Sequence, residues 1–153
     1  MKYDLEWKRK RLKNISVIMS LITDTDFKFN ERSDSMVYGV VNMPLTTIID
    51  CMDLSDVFCF NGTIMPPNGY HFDPKAAEVK INSLNGIRAR YEYYMRMTEK
   101  DDIKITLQVP FNHSETALQL SDTVAAFFGR LYSMAHFMDE FGLIDDNEYD
   151  LND

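Results

Sequence analysis

Apolar and polar residues alternate almost without fault from Ile87 to Phe111. Ile87, Ala89, Tyr91, Tyr93, Met95 and Met97 fall on one face of a first arm, and Arg88, Arg90, Glu92, Tyr94, Arg96 and Thr98 on the other. After the charged stretch from Glu99 to Asp102, Ile103, Ile105, Leu107 and Val109 alternate with Lys104, Thr106 and Gln108. A period of two on both sides of a charged turn predicts an antiparallel hairpin with one buried and one wetted face. Such a hairpin is barely stable alone in water, so the rest of the chain has to supply more strands and a helical cover.

The flanking segments carry matching periods. Leu5, Leu12, Ile15, Ile18, Met19 and Ile22 make one stripe of a helix from about Leu5 to Ile22, with Asp4 placed to cap it. Between Thr25 and Pro66 β-favouring residues dominate. Phe27 and Phe29 alternate in a short strand, Glu31 to Ser35 read as a turn, and Met36 to Met43 form the next strand until Pro44 interrupts. Thr46 to Met52 resumes extended structure, although Leu45 to Asp56 also fits a helical period over so short a run. Val57 to Met65 is a further strand, with Gly62 expected at a bulge or tight bend, and Tyr70, His71 and Phe72 read as a loop.

Asp73-Pro74 is a helix-start signal, and Asn85-Gly86 is placed to end that short helix in a left-handed conformation. The competing reading makes Glu78 to Leu84 a strand paired with Ile87 onward. Beyond the hairpin, Ser114 is placed to cap a long helix that reaches Phe141 and stops at Gly142. Its main stripe is Leu120, Val124, Phe127, Leu131, Met134 or Ala135, and Met138. The predicted fold is α+β: an antiparallel sheet of about five strands with an N-terminal helix, a short middle helix and a long C-terminal helix. Residues 1–142 form the single domain, and residues 143–153, rich in aspartate, read as an acidic flexible tail.

Composition narrows the functional classes. With 153 residues and 45% hydrophobic content the chain can bury its own core, and a net charge of -8 opposes non-specific binding to nucleic acid or an anionic membrane. No apolar run approaches the roughly 20 residues of a membrane span, and charge stands where a signal peptide has its apolar centre, so the expected location is cytoplasmic. Cys51 and Cys59 sit in apolar pattern and read as reduced core or half-buried residues. The basic run Lys8, Arg9, Lys10, Arg11 and Lys13 could mark a nucleic-acid patch, but rings the solvated side of a helix equally well.

Chemistry-bearing motifs are few. His71, His113 and His136 are scattered, and no phosphate loop or nucleophile elbow is present. His113-Ser114 sets a histidine beside a hydroxyl, which capping explains. Asp50, Asp53 and Asp56 are spaced by three but lack the glycine and terminal glutamate of a calcium loop. No catalytic, cofactor-binding or metal residues are therefore assigned. Met95, Met97, Met134 and Met138 could form an adaptable apolar surface or simply fill the core. The candidate protein-interaction residues are Trp7, Phe128, Tyr132, Phe137 and Phe141: the last four widen the apolar face of the C-terminal helix past what one sheet can cover, which predicts a homodimer.

From Asp73-Pro74 to Phe141, through Ile81-Asn82-Ser83-Leu84-Asn85-Gly86, the arms Ile87 to Thr98 and Ile103 to Phe111, and Asn112-His113-Ser114, the chain resembles the YbjN family and the related type III secretion chaperones. That resemblance implies a small acidic cytosolic protein, commonly homodimeric, that binds protein segments through its sheet and first helix and is not an enzyme. The leading expectation is thus a non-catalytic protein-binding module, chaperone-like or regulatory, acting as a dimer on a protein partner. Two rivals come from other classes: an acidic inhibitor that mimics nucleic acid on a host or phage-defence enzyme, and a small enzyme whose pocket joins His71 or His113 to carboxylates.

Overall fold

Three rows of side chains crossing five strands make the floor of the core. In the computed structural model, which describes residues 4–30 and 36–151, these strands are β2 (Met36–Asn42), β3 (Thr46–Leu54), β4 (Val57–Ile64), β6 (Tyr93–Met97) and β7 (Ile103–Pro110). Val37, Cys51, Phe60, Leu107 and Tyr93 align in one row; Gly39, Ile49, Gly62, Ile105 and Met95 in the next; Val41, Thr47, Ile64, Ile103 and Met97 in the third. With β1 (Lys28–Asn30) at one edge the sheet has six antiparallel strands in the order β1-β2-β3-β4-β7-β6, one more than the sequence predicts. The alternation in β2, β3 and β7 buries every second residue, which is the period of a sheet covered on one face. Residues 46–54 are therefore a strand, and the helical alternative is excluded. The turn expected at Glu31 to Ser35 lies outside the described residues.

The cover is a helical layer. α1 (Leu5–Thr23) lies over β1 to β3, α3 (Ala117–Phe141) packs beside it on β4, and α2 (Pro74–Asn85) flanks α3 on its other side above β6. Asp4 caps α1 by accepting from the Trp7 amide at 2.8 Å, and Asp73 caps α2 by accepting from the Lys75 amide at 3.0 Å. Leu12, Ile15, Met19, Phe127, Leu131 and Met138 are fully buried between helices and sheet.

Several local expectations are corrected. The first hairpin arm is half the expected length, because the chain leaves α2 in the helical layer and residues 86–92 descend from there to the sheet edge before pairing begins at Tyr93. Gly86 is right-handed (φ -75°, ψ -12°), donating to the carbonyls of Asn82 and Ser83 within a tightened last turn. Gly62 sits in an unbroken ladder, where its missing β-carbon makes room for Leu131. The cap of α3 lies two residues beyond Ser114: it is Thr116, in a reciprocal box with Gln119 (3.1 and 2.9 Å), while Ser114 donates its amide to Asn112.

The stretch Tyr70 to Phe72, read as a loop, is strand β5, and it pairs with β8 (Leu143–Asp145) in a second, two-stranded sheet. α4 (Asp146–Leu151) follows. Within residues 143–151, expected as part of a flexible tail, Leu143 to Asp145 form β8 and Asp146 to Leu151 form α4; residues 152 and 153 lie outside the described residues. No helix among the described residues is long and apolar enough to cross a membrane.

Candidate functional site

The described part of α3 turns one uncovered strip outward, and the candidate residues divide around it. Ala125, Gly129 and Tyr132 follow one another along the strip at helical spacing, and with Phe128 as floor they face Ile22, Thr25 and Met43 across a groove of about 450 Å³. Among the described residues the ten that line it include no charged side chain. At its end the Tyr132 ring stacks flat on His136 (5.8 Å between centroids, 4° between planes), and His136 Nε2 meets Glu140 Oε1 at 3.2 Å. Gly129 is notable because, beyond its chain neighbours and its own helix backbone, no heavy atom of the described residues lies within 4 Å of where its β-carbon would be, so nothing described in the chain requires a glycine there. Mid-helix glycine costs about 1 kcal/mol relative to alanine.

The five candidate interaction residues do not form one surface. Tyr132 is 53% exposed on the groove, but Phe128 retains only 4% of its surface, wedged edge-on between Phe27 and Phe127. It belongs to the core, because α1 and β2 close over the side of α3 that sequence periodicity left uncovered. Phe137 and Phe141 pair with each other at 5.3 Å farther along α3; Phe137 is half-buried under the Lys80 ammonium, and Phe141 is exposed. Trp7 is remote from both, in a cluster with Phe58 (5.7 Å), Phe111 (5.6 Å) and His113 (4.7 Å) at the far end of the sheet.

The basic run of α1 is used in place. Arg11 lies over Trp7 and donates to the Glu115 carbonyl, Lys8 lies over Phe111 and reaches Asp53 at 4.0 Å, and Lys13 lies over Phe29. Cation–aromatic contacts thus engage Lys8, Arg11 and Lys13.

His71 bridges two carboxylates: Nδ1 stands 3.2 Å from Asp101 and Nε2 2.9 Å from Asp146. That joins β5 to the hairpin turn and to the start of α4, and none of the cavities described here is lined by it. Asp50, Asp53 and Asp56 part company: Asp50 accepts from Asn61, Asp53 faces Lys8, and the Asp56 carbonyl accepts from the Phe111 amide. No group of three or more His, Cys, Asp or Glu side chains suited to a metal ion occurs among the described residues. Met134 and Met138 are fully buried and Met95 and Met97 half-buried, so the methionines fill the core. Cys51 and Cys59 are free thiols, and burial pushes both upward from their ordinary 9.0, Cys51 the further.

Sequence reasoning missed Arg130. Its guanidinium lies over the Tyr93 ring at 4.0 Å, and the residue is 8% exposed. The signal was available: Thr123, Phe127, Arg130 and Met134 keep a helical spacing that continues the buried stripe, so an arginine in that register has its stem in the core. No protein-family model, curated protein or solved structure matches the chain.

Proposed function

We propose that this chain is a non-catalytic protein-binding module, chaperone-like or regulatory, which self-associates through the groove between α1, β2 and α3 and acts as a dimer on a protein partner. Gly129 carries the reading. A glycine in an exposed helix interior lowers helix stability, and with open space around it the gain has to come from outside the chain, where it lets another backbone approach closely. Charge argues for a second copy as the occupant. Two chains of net charge -8 repel, and the uncharged groove is where they can meet without setting like charges against each other. A two-fold contact there would cover Tyr132 and Ile22 together.

Light scattering after size exclusion, repeated over a concentration series, tests this. The expected mass at micromolar concentration is twice 17.8 kDa. Gly129→Leu, which fills the groove floor with a side chain, should return the mass to that of one chain while the circular dichroism spectrum is kept. A wild-type mass of 17.8 kDa at every concentration would refute self-association through this face.

A further inference from the structure

Three arginines converge on one side of α3 in an acidic protein, and among the described residues none of them has a carboxylate partner. Arg130 is the central one. At 8% exposure it is nine-tenths buried, and it makes no ion pair among the described residues; Tyr93 compensates it, through a ring 4.0 Å from the guanidinium carbon and a side-chain hydrogen bond. A buried cation without a counter-charge is costly, and among the described residues no carboxylate pairs with Arg130. Two cavities of about 110 Å³ each meet at this residue, sharing Ala89 and Tyr93 with it. Arg88 and Arg90, on the segment that descends from α2, line the first cavity from the opposite side. Neither cavity has an acidic residue in its lining. Glu115, the carboxylate on this flank, is occupied by the Tyr91 hydroxyl at 3.0 Å and is not ion-paired with any of the three.

We infer that this notch is an oxyanion site whose ligand is a phosphate monoester dianion, held between Arg130 on the floor and Arg88 and Arg90 at the rim. The chemistry of the donors selects that class. Guanidinium forks are planar, always charged and weakly hydrated, so they hold tetrahedral oxyanions with paired N–H donors, and three of them suit a dianion better than a single negative charge. The space admits several water-sized groups, enough for a phosphoryl head, while Tyr91 and Tyr93 provide flat apolar walls for whatever carries it. The phosphoryl group could come from a free small molecule or from a phosphorylated side chain. This inference stands independently of the self-association groove, which lies on the α1 side of α3.

The test is a titration of the full chain with inorganic phosphate at fixed ionic strength, following the Arg Nε–Hε resonances by heteronuclear NMR. A saturable shift of the Arg130 resonance is expected, and Arg88→Gln with Arg90→Gln should weaken it by about tenfold or more, since each lost charge-assisted pair is worth about a factor of ten. Both rim residues are exposed, so this double variant folds even if Arg130→Met does not. A phosphoserine peptide and a nucleoside monophosphate then distinguish the sources: tighter binding of one over inorganic phosphate assigns the ligand to that source. A shift that stays linear in phosphate, one that the double variant leaves unchanged, or equal competition by acetate would overturn the proposal.

Discussion

The side chain of Leu131 occupies the space that a β-carbon on Gly62 would fill. The long helix meets the sheet here at the row that also holds Ile49 and Ile105. Gly62→Ala therefore has to displace a fully buried leucine, and the overpacking should cost about 1–3 kcal/mol. Gly129→Ala, on the same helix but with open space around it, should stabilise an isolated chain by about 1 kcal/mol. Opposite shifts in the urea midpoint are the expected outcome, and shifts of the same sign would show that Leu131 does not sit over Gly62.

Tyr93 and Tyr94 test the face of the edge strand. Tyr93 lies on the covered face beneath Arg130, and Tyr94 stands in the opposite row with Tyr38, Asp50, Asn61 and Thr106. Tyr93→Ala removes the aromatic wall under a buried guanidinium and should cost about 2–4 kcal/mol, whereas Tyr94→Ala should stay near 1 kcal/mol or below. Thermal melts of the two variants give the comparison directly.

Alkaline stability follows from the buried thiols and phenols. Cys51 is raised well above 9.0 by burial and by Cys59, and Tyr93 is raised above 10.0 by burial. As pH climbs past those ordinary values the unfolded chain loses protons that the folded chain keeps, so unfolding is favoured and stability falls with pH. Below about pH 9 the contribution is constant. Urea midpoints should thus hold level through neutral pH and drop above it, and Cys51→Ala should flatten the earliest part of the fall. A midpoint that rises with alkaline pH would contradict the burial of these groups.

His71 ties three elements through one ring. Its Nδ1 faces Asp101 in the hairpin turn and its Nε2 faces Asp146 at the start of α4. His71→Ala should lower global stability by no more than about 1 kcal/mol, because both carboxylates are partly exposed. Its local effect should be larger: amides of residues 143–151 are expected to exchange faster with solvent than in the wild type, while those of β4 and β7 are unchanged. Uniform exchange across the chain would show that α4 is held by something else.

The parts of the fold legible in the sequence are those where one period runs long enough to be read. The stripe of Leu120, Val124, Phe127 and Leu131 predicts the long helix, and Ile103 to Val109 predict the interior strand β7, because each repeats its period several times. Ile87 to Glu92 misled for a related reason: alternation reports which face a chain turns to its neighbours, and says nothing of whether a strand pairs with it. Local chemistry was equivocal at Ser114 and Gly86, where a good capping residue stands next to a better one and a glycine is not needed for its conformational freedom. The notch around Arg130 was hidden because its arginines are far apart in sequence, on α3 and on the segment after α2, and only the packing of α2 against α3 brings them together.

That packing also separates two residues that periodicity treats alike. Phe128 and Tyr132 are four apart on α3 and both widen its apolar face, yet Phe128 is buried against Phe27 and Phe127 while Tyr132 is more than half exposed. A glutamate at 128 would place a charge in the core with no partner and remove an aromatic side chain as well, for a loss of at least about 4 kcal/mol. That is a large share of the roughly 5–15 kcal/mol that holds a domain together, so Phe128→Glu should unfold the protein or lower its melting temperature severely. Tyr132→Glu changes a solvated position, and the fold should lose about 0.5 kcal/mol or less from it, with a spectrum like that of the wild type. If α3 meets a second chain through the groove, the same Tyr132→Glu should abolish the doubled mass in light scattering, since each partner would then set a charge against an uncharged wall. Melting curves and masses measured on both variants separate the two roles: a folded Phe128→Glu would place that ring outside the core, and an unfolded Tyr132→Glu would place its ring inside.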